Sequence, residues 1–125
     1  MRGLTLDTGA LVALERRDHR TIDLVAAARL ARARVTVPAP VVVEWWRGQR
    51  GPAALILDPF DVEALDDALA HVAGDALARV GAGPSVVDAV VMASAASRGD
   101  RVLTGDVADL ERLRAVFPAV RVLRV

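Results

Sequence analysis

Short apolar runs alternate with longer apolar stripes along this chain, and the two periods predict different elements. Leu4 to Leu6 reads as a short buried strand ending at Asp7, after which Ala10, Leu11 and Leu14 recur at helical spacing as far as the polar segment from Glu15 to Arg20. A second helix is predicted from about residue 21 to residue 32, followed by a strand at Val35 to Val37 that Pro38 closes. Pro40 takes the first-turn position that suits proline and opens a short helix over 40–47, which Gly48, Gly51 and Pro52 break. Ala54 to Leu57 reads as a further strand. Asp61 then caps a helix whose apolar stripe is Val62, Leu65, Leu69, Val72, Ala76 and Val80. Beyond the GAGPS segment, Ser85 opens an alanine-rich helix over 86–97, and a strand at Arg101 to Leu103, a helix over 107–116 and a strand at Val120 to Val125 complete the pattern.

Short strands alternating with helices imply parallel pairing through right-handed crossovers. The expected fold class is therefore α/β: a three-layer α/β/α sandwich around a short, mainly parallel central sheet, with residues 1–125 as one domain. Ligands in open sheets of this kind bind beyond the carboxyl ends of the strands. Asp7 and Asp106 each follow a predicted strand and so mark one rim. Glu44 and Asp88 lie on helices that begin after loops, and they reach the same rim if those loops lie at that end.

A hydrophobic fraction of 54% beside 26% charged residues describes an ordered globular chain. No stretch is long and apolar enough to span a bilayer, and a carboxylate at position 7 comes too early for a signal peptide, so no membrane association is expected and the expected compartment is the cytoplasm. The absence of cysteine excludes disulfides, thiolate catalysis and cysteine-based zinc sites. Formal net charge is zero, which argues against a strongly electrostatic nucleic-acid binder, but the charge is unevenly placed. All 16 basic residues are arginine, and residues 1–50 carry nine of them against five acids. Arg16, Arg17 and Arg20 form one bunch, Arg29, Arg32 and Arg34 another, with Arg47 and Arg50 beyond. A planar guanidinium suits phosphate, while the same residues also serve as solvated helix faces and as partners of helix C-termini.

Four carboxylates interrupt apolar surroundings: Asp7 in GLTLDTGALVAL, Glu44 in PVVVEWW, Asp88 in SVVDAVVMASA and Asp106 in RVLTGD. Burying a carboxylate among Val, Leu and Ala is costly unless it is paired or binds a cation, and one shared metal site accounts for all four. Each also has a local reading. Asp7 and Asp106 can cap the helices that follow them, Ser85 and Asp88 have the spacing of a capping box, and Glu44 and Arg47 can form an i,i+3 pair. A cap alone does not call for the apolar neighbours that surround Asp88. An all-carboxylate set without cysteine or a nearby histidine favours Mg2+, with Mn2+ as a substitute, and close acids should raise at least one pKa.

Taken in order, LDTGALVAL, VVVEWWRG and SVVDAVVMASAASRGDRVLTGDVADL resemble a PIN-domain ribonuclease, and the chain's length and motif order resemble the VapC-type toxins of bacterial toxin–antitoxin pairs. The resemblance implies that Asp7, Glu44, Asp88 and Asp106 are the family's acidic quartet and that Asp109 is its further acid. Leu110 stands where the family often has Phe, and Trp45–Trp46 where aliphatic residues are usual. The activity so implied is Mg2+-dependent endoribonuclease cleavage leaving 5′-phosphate and 3′-hydroxyl ends. Asp7 and Asp88 would be the principal metal ligands, Glu44 would help position the ion or its water, and Asp106 would complete the set or help hold a second ion. Thr8 and Thr104 are either hydrogen-bond donors to those ligands or plain helix-end and strand-end hydrogen bonders. The implied partners are an RNA substrate, a second copy of the chain in a homodimer, and a cognate antitoxin whose C-terminal segment obstructs the acidic rim. Leu11, Leu14, Leu24, Val25 and Leu30 offer a docking groove between the first two helices, with internal core as the alternative.

Other classes fit less well. The DTGA tetrapeptide also belongs to retroviral-type aspartic proteases, but there it lies in an all-β fold. A response-regulator receiver needs a lysine after its last strand, and this chain has none; a D-x-D phosphatase needs a second aspartate where Gly9 stands. The remaining competitor is a PIN-like module that binds RNA or a partner without cutting. Trp45 and Trp46 bear on it, since one exposed tryptophan would provide an anchor or a stacking surface. His19 and His71 are isolated in polar contexts and take no role.

Overall fold

The alternating pattern is realised as a parallel sheet covered by helices. The computed structural model describes residues 2–48 and 51–125, so Arg50 lies outside the described residues. In chain order the elements are β1 (Leu4–Leu6), α1 (Thr8–Glu15), α2 (His19–Leu30), β2 (Val35–Pro38), α3 (Ala39–Trp46), a 3-10 segment (Gly51–Leu57), β3 (Asp61–Glu63), α4 (Asp67–Val80), α5 (Val86–Arg98), β4 (Arg101–Thr104), α6 (Val107–Leu113) and β5 (Val122–Arg124). The five strands run in the order β3-β2-β1-β4-β5 with every neighbouring pair parallel. From β1 the chain builds outward to β2 and β3, then returns to the other side of β1 for β4 and β5. The carboxyl ends of β1 and β4 therefore form the topological switch point, where such sheets open a crevice.

Two expectations between β2 and α4 are corrected. Ala54 to Leu57 is not a strand but part of the 3-10 segment, and the edge strand is Asp61–Glu63, where the apolar stripe had suggested a helix capped by Asp61. Over three residues, alternation with period two and a helical stripe are indistinguishable, and the strand is fixed by distant partners. Its backbone pairs with β2, the Asp61 carboxylate accepts from Arg34 Nε at 2.7 Å, and Glu63 meets Arg98. Asp66 is the true cap of α4, accepting the Leu69 N–H at 2.8 Å. Similarly, α2 starts earlier than predicted because Asp18 accepts from both the backbone and the hydroxyl of Thr21.

β1 and most of β4 are buried, and α5 buries every residue from Ala89 to Ala95. Small side chains let this helix lie close to the sheet and carry Asp88, in its first turn, toward the switch point. A polar network holds it there. Arg98, at the end of α5, donates to Asp100 (3.0 Å), Thr5 (2.9 Å), Ser94 (2.8 Å) and Glu63, while Ser94 donates to Glu63 (2.6 Å) and Thr5 to Asp100 (2.9 Å). The bonds join α5 to β1, β3 and the start of β4, and the single Arg98 guanidinium pairs with both the Glu63 and the Asp100 carboxylates. Among the described residues no helix is long and apolar enough to cross a membrane.

Because removing one partner of a buried ion pair strands the other, Arg98→Met is expected to destabilise the fold by about 3–5 kcal/mol. Urea denaturation at pH 7 reads this directly, and a loss within the range of an ordinary surface substitution would show that the network is not a clamp.

Candidate functional site

A cleft of about 380 Å³ opens at the switch point, and Asp7, Thr8, Glu44, Asp88, Asp106 and Asp109 all line it, together with Ser85, Gly9 and Gly105. Five places in the fold supply the acids: the end of β1 (Asp7), α3 (Glu44), α5 (Asp88), the β4–α6 connection (Asp106) and the first turn of α6 (Asp109). Among the described residues, no basic side chain lines its wall.

Asp7 serves as cap and cleft residue at once. Its Oδ1 accepts the Ala10 N–H at 3.0 Å, capping α1, and its Oδ2 accepts the Thr104 hydroxyl. Thr104 Oγ1 in turn accepts the Asp106 N–H at 2.8 Å, so its own hydrogen is committed to Asp7. Asp88 likewise combines both readings, since it completes a reciprocal capping box with Ser85 (2.9 and 3.1 Å) while lining the cleft. Asp106 does not take the alternative role of a cap: it precedes α6 but makes no side-chain cap bond, and its carboxylate lines the cleft. Glu44 accepts from Thr8 Oγ1, with no ion pair to Arg47.

Two glycines set the spacing of this arrangement. A Cβ on Gly9 would lie 2.7 Å from the backbone nitrogen of Gly105 and 2.8 Å from its Cα, so only glycine lets the first turn of α1 close against the β4–α6 connection. That contact brings Asp7 and Asp106 to one place. The residues carried a visible signal, a glycine directly after each strand-end motif in DTG and TGD, but their contact spans nearly the whole chain.

Burial is less uniform than the apolar sequence context suggested. Asp7 is 6% exposed, Asp88 and Asp109 are half-buried, and Glu44 and Asp106 are exposed. The apolar residues after Asp88, from Ala89 to Ala95, point into the core, whereas Val86 is exposed and Asp88 itself, in the first turn, opens to the cleft. Burial raises the Asp7 pKa to about 6, against the hydrogen bonds from Thr104, Ala10 and Gly105 and with the charge of Asp88 adding to it. Asp88 is raised by burial, opposed by its bonds to Ser85, and further by the charges of Asp106 and Glu44. Asp109 is raised by desolvation, by its hydrogen bond with Asp106 and by the charges of Asp106 and Asp88. Carboxylate oxygens of Asp88, Asp106 and Asp109 lie within 4.8 Å of one another, which makes Asp109 a member of the cluster. A set of hard oxygen donors with excess negative charge fits a divalent cation such as Mg2+.

The remaining candidates sort by exposure. Trp45 is core, its indole N–H donating to Glu15 at 2.7 Å, whereas Trp46 is partly exposed beside it. Leu11 and Val25 are buried, Leu14 and Leu24 half-buried, and Leu30 exposed, so most of the proposed docking groove is core. His19 and His71 are on the surface.

A family profile described as the PIN domain matches residues 4–116. No curated protein sequence matches the chain. Among solved structures it is similar to VapBC2 from Rickettsia felis bound to a DNA fragment from the promoter, with 12% identity over 100% of this chain and 99% of that one and a TM-score of 0.76. It is also similar to DNA-bound VapBC from Salmonella typhimurium (20% identity, 99% and 98% covered, TM-score 0.69) and to FitAcB from Neisseria gonorrhoeae (18%, 96% and 96%, 0.69). At these identities the likeness is one of fold.

The raised pKa of Asp7 has a definite sign for stability. A folded pKa above the ordinary value of 3.8 means that stability is full below pH 3.8 and is lost as pH rises through about 6. In metal-free buffer at pH 7, Asp7→Asn should therefore be more stable than the wild type by about 3 kcal/mol, with the difference vanishing toward pH 4. Denaturant melts in EDTA across that range check it; a difference independent of pH would contradict it.

Proposed function

The chain belongs to the PIN-domain family, and from that premise we propose that it is a single-domain, Mg2+-dependent endoribonuclease of VapC type, the toxin of a toxin–antitoxin pair. The observation that carries this reading is the gathering of five carboxylates, one of them buried, in a cleft to which the described residues supply no cation. A module that only binds RNA has no use for such a concentration of negative charge.

Asp7 and Asp88 are assigned as principal ligands of Mg2+, or of Mn2+ in its place, with Asp106 and Asp109 completing the anionic set. When bound, the ion supplies a lowered pKa for water and charge neutralisation for the phosphodiester oxygens. The chain's residues do the orienting. Thr104 fixes one Asp7 oxygen by donating its hydroxyl, whose oxygen in turn accepts the Asp106 N–H. The backbone N–H of Ser85 fixes one Asp88 oxygen from the helix terminus, while the Ser85 hydroxyl accepts the Asp88 N–H. Thr8 engages one oxygen of Glu44, leaving the other to accept a proton from the attacking water. Hydrolysis with 3′-oxygen departure leaves 5′-phosphate and 3′-hydroxyl ends.

A cognate antitoxin is the assigned protein partner, supported by the fold likeness to VapBC and FitAcB. A homodimer in the cytoplasm is the assigned working form.

Asp7→Asn and Asp88→Asn are each expected to lower Mg2+-dependent RNA cleavage on the order of 100-fold or more with the circular dichroism spectrum intact. Thr104→Val should lose about 10–100-fold, chiefly through weaker Mg2+ binding. Undiminished cleavage by either aspartate variant, after EDTA treatment and return of metal, would overturn the assignment.

A further inference from the structure

The acidic cleft accounts for the scissile phosphate but not for the rest of a polyanionic strand, which its five carboxylates repel. A second cleft, of about 430 Å³, adjoins it and shares Gly9 and Gly105 in its wall. These two glycines form the ridge between the clefts, and neither has a side chain to obstruct a strand crossing it. On the far side the lining includes Val12, Ala13, Val125 and Arg16. Arg16 follows the last residue of α1, and its guanidinium makes no hydrogen bond or ion pair among the described residues. Asp18, the acid in the same wall, has its carboxylate engaged by Thr21 as the cap of α2. An eight-residue α1 is about 12 Å long, so Arg16 stands too far from Asp7 to share the phosphate that is cut.

Building on the nuclease reading, we propose that this second cleft is the subsite for a nucleotide flanking the scissile bond of single-stranded RNA. The Arg16 guanidinium takes the flanking phosphate, and the apolar surface of Val12, Ala13 and Val125 receives the base or ribose. A planar, forked cation suits a phosphate oxygen pair, and an apolar wall accepts the face of any base without reading its edge. Arg16 is thus a substrate-binding residue outside the acidic cluster.

The test compares wild type, Arg16→Ala, Arg16→Lys and, as a control from the same arginine bunch, Arg20→Ala. Two measurements run in parallel: equilibrium binding of a labelled single-stranded RNA with Ca2+ in place of Mg2+, and steady-state cleavage in Mg2+. Arg16→Ala is expected to weaken binding and raise KM about tenfold, and to lower the salt dependence of binding by about one phosphate contact, uniformly across RNA sequences. Its kcat and its Mg2+-induced thermal shift stay at wild-type values, Arg16→Lys recovers part of the loss, and Arg20→Ala matches the wild type. Unchanged affinity, KM and salt slope in Arg16→Ala, with a wild type that cleaves, overturn the subsite and leave the nuclease reading standing. A wild type that fails to cleave overturns the nuclease reading and with it the flanking position, and the binding comparison then decides only whether Arg16 contacts RNA. An equal loss of affinity for heparin, a polyanion without bases, would reduce Arg16 to a general surface charge and overturn the nucleotide assignment.

Discussion

A carboxylate held almost out of water among other carboxylates is the constraint around which this protein is organised. Asp7 sits where the sheet reverses its order, at the one point where β1 and β4 release their ends in different directions. Its side chain caps α1 and accepts the Thr104 hydroxyl, so its position is set by the first turn of α1 and the end of β4 at once. Gly9 and Gly105 let those two backbones approach. With hydrogen bonds alone, burial still wins and the Asp7 pKa rises to about 6, which leaves the ionised state short of a counter-charge. In the proposed nuclease a divalent cation would supply it.

The molecule contains a second dense group of charges, and the contrast with the first separates architecture from chemistry. Around Arg98 every carboxylate meets a guanidinium nitrogen or a hydroxyl, and the group ties α5 to three strands. In the cleft the carboxylates meet one another, and three of them have raised pKa values in consequence of desolvation and mutual repulsion. Carboxylates that each have a cationic partner stabilise a fold; carboxylates left without one in a cleft mark a candidate ligand site. The two groups are mechanically linked, because the helix clamped at its end by Arg98 presents Asp88 from its first turn.

Much of this was legible in the residues. Periodicity located β1, α1, β2, α3, α5 and β4 closely, because strong caps and breakers bound them, and the four acids were singled out by their apolar neighbours. The burial argument held in full only for Asp7. For Asp88 the neighbouring Val and Ala side chains report the core face of α5, not the surroundings of the carboxylate. The segment from Ala54 to Leu65 misled because its strand is defined by pairing with β2 and by ion pairs to Arg34 and Arg98, none of which is local. The direction of the Thr104 hydrogen, the approach of Gly9 to Gly105 and the cleft beside Arg16 all depend on contacts between chain ends and were beyond any local pattern.

Calorimetric titration of the metal-free protein with Mg2+ in buffers of different ionisation enthalpy tests most directly whether Asp7 belongs to a cation site. With an Asp7 pKa of about 6, Mg2+ binding at pH 6 should expel about half a proton from that group alone, making the heats depend on the buffer. The dependence should disappear by pH 8, where Asp7 is already ionised. Absence of Mg2+ binding, or binding at pH 6 whose heat is the same in every buffer, would contradict a site built on Asp7.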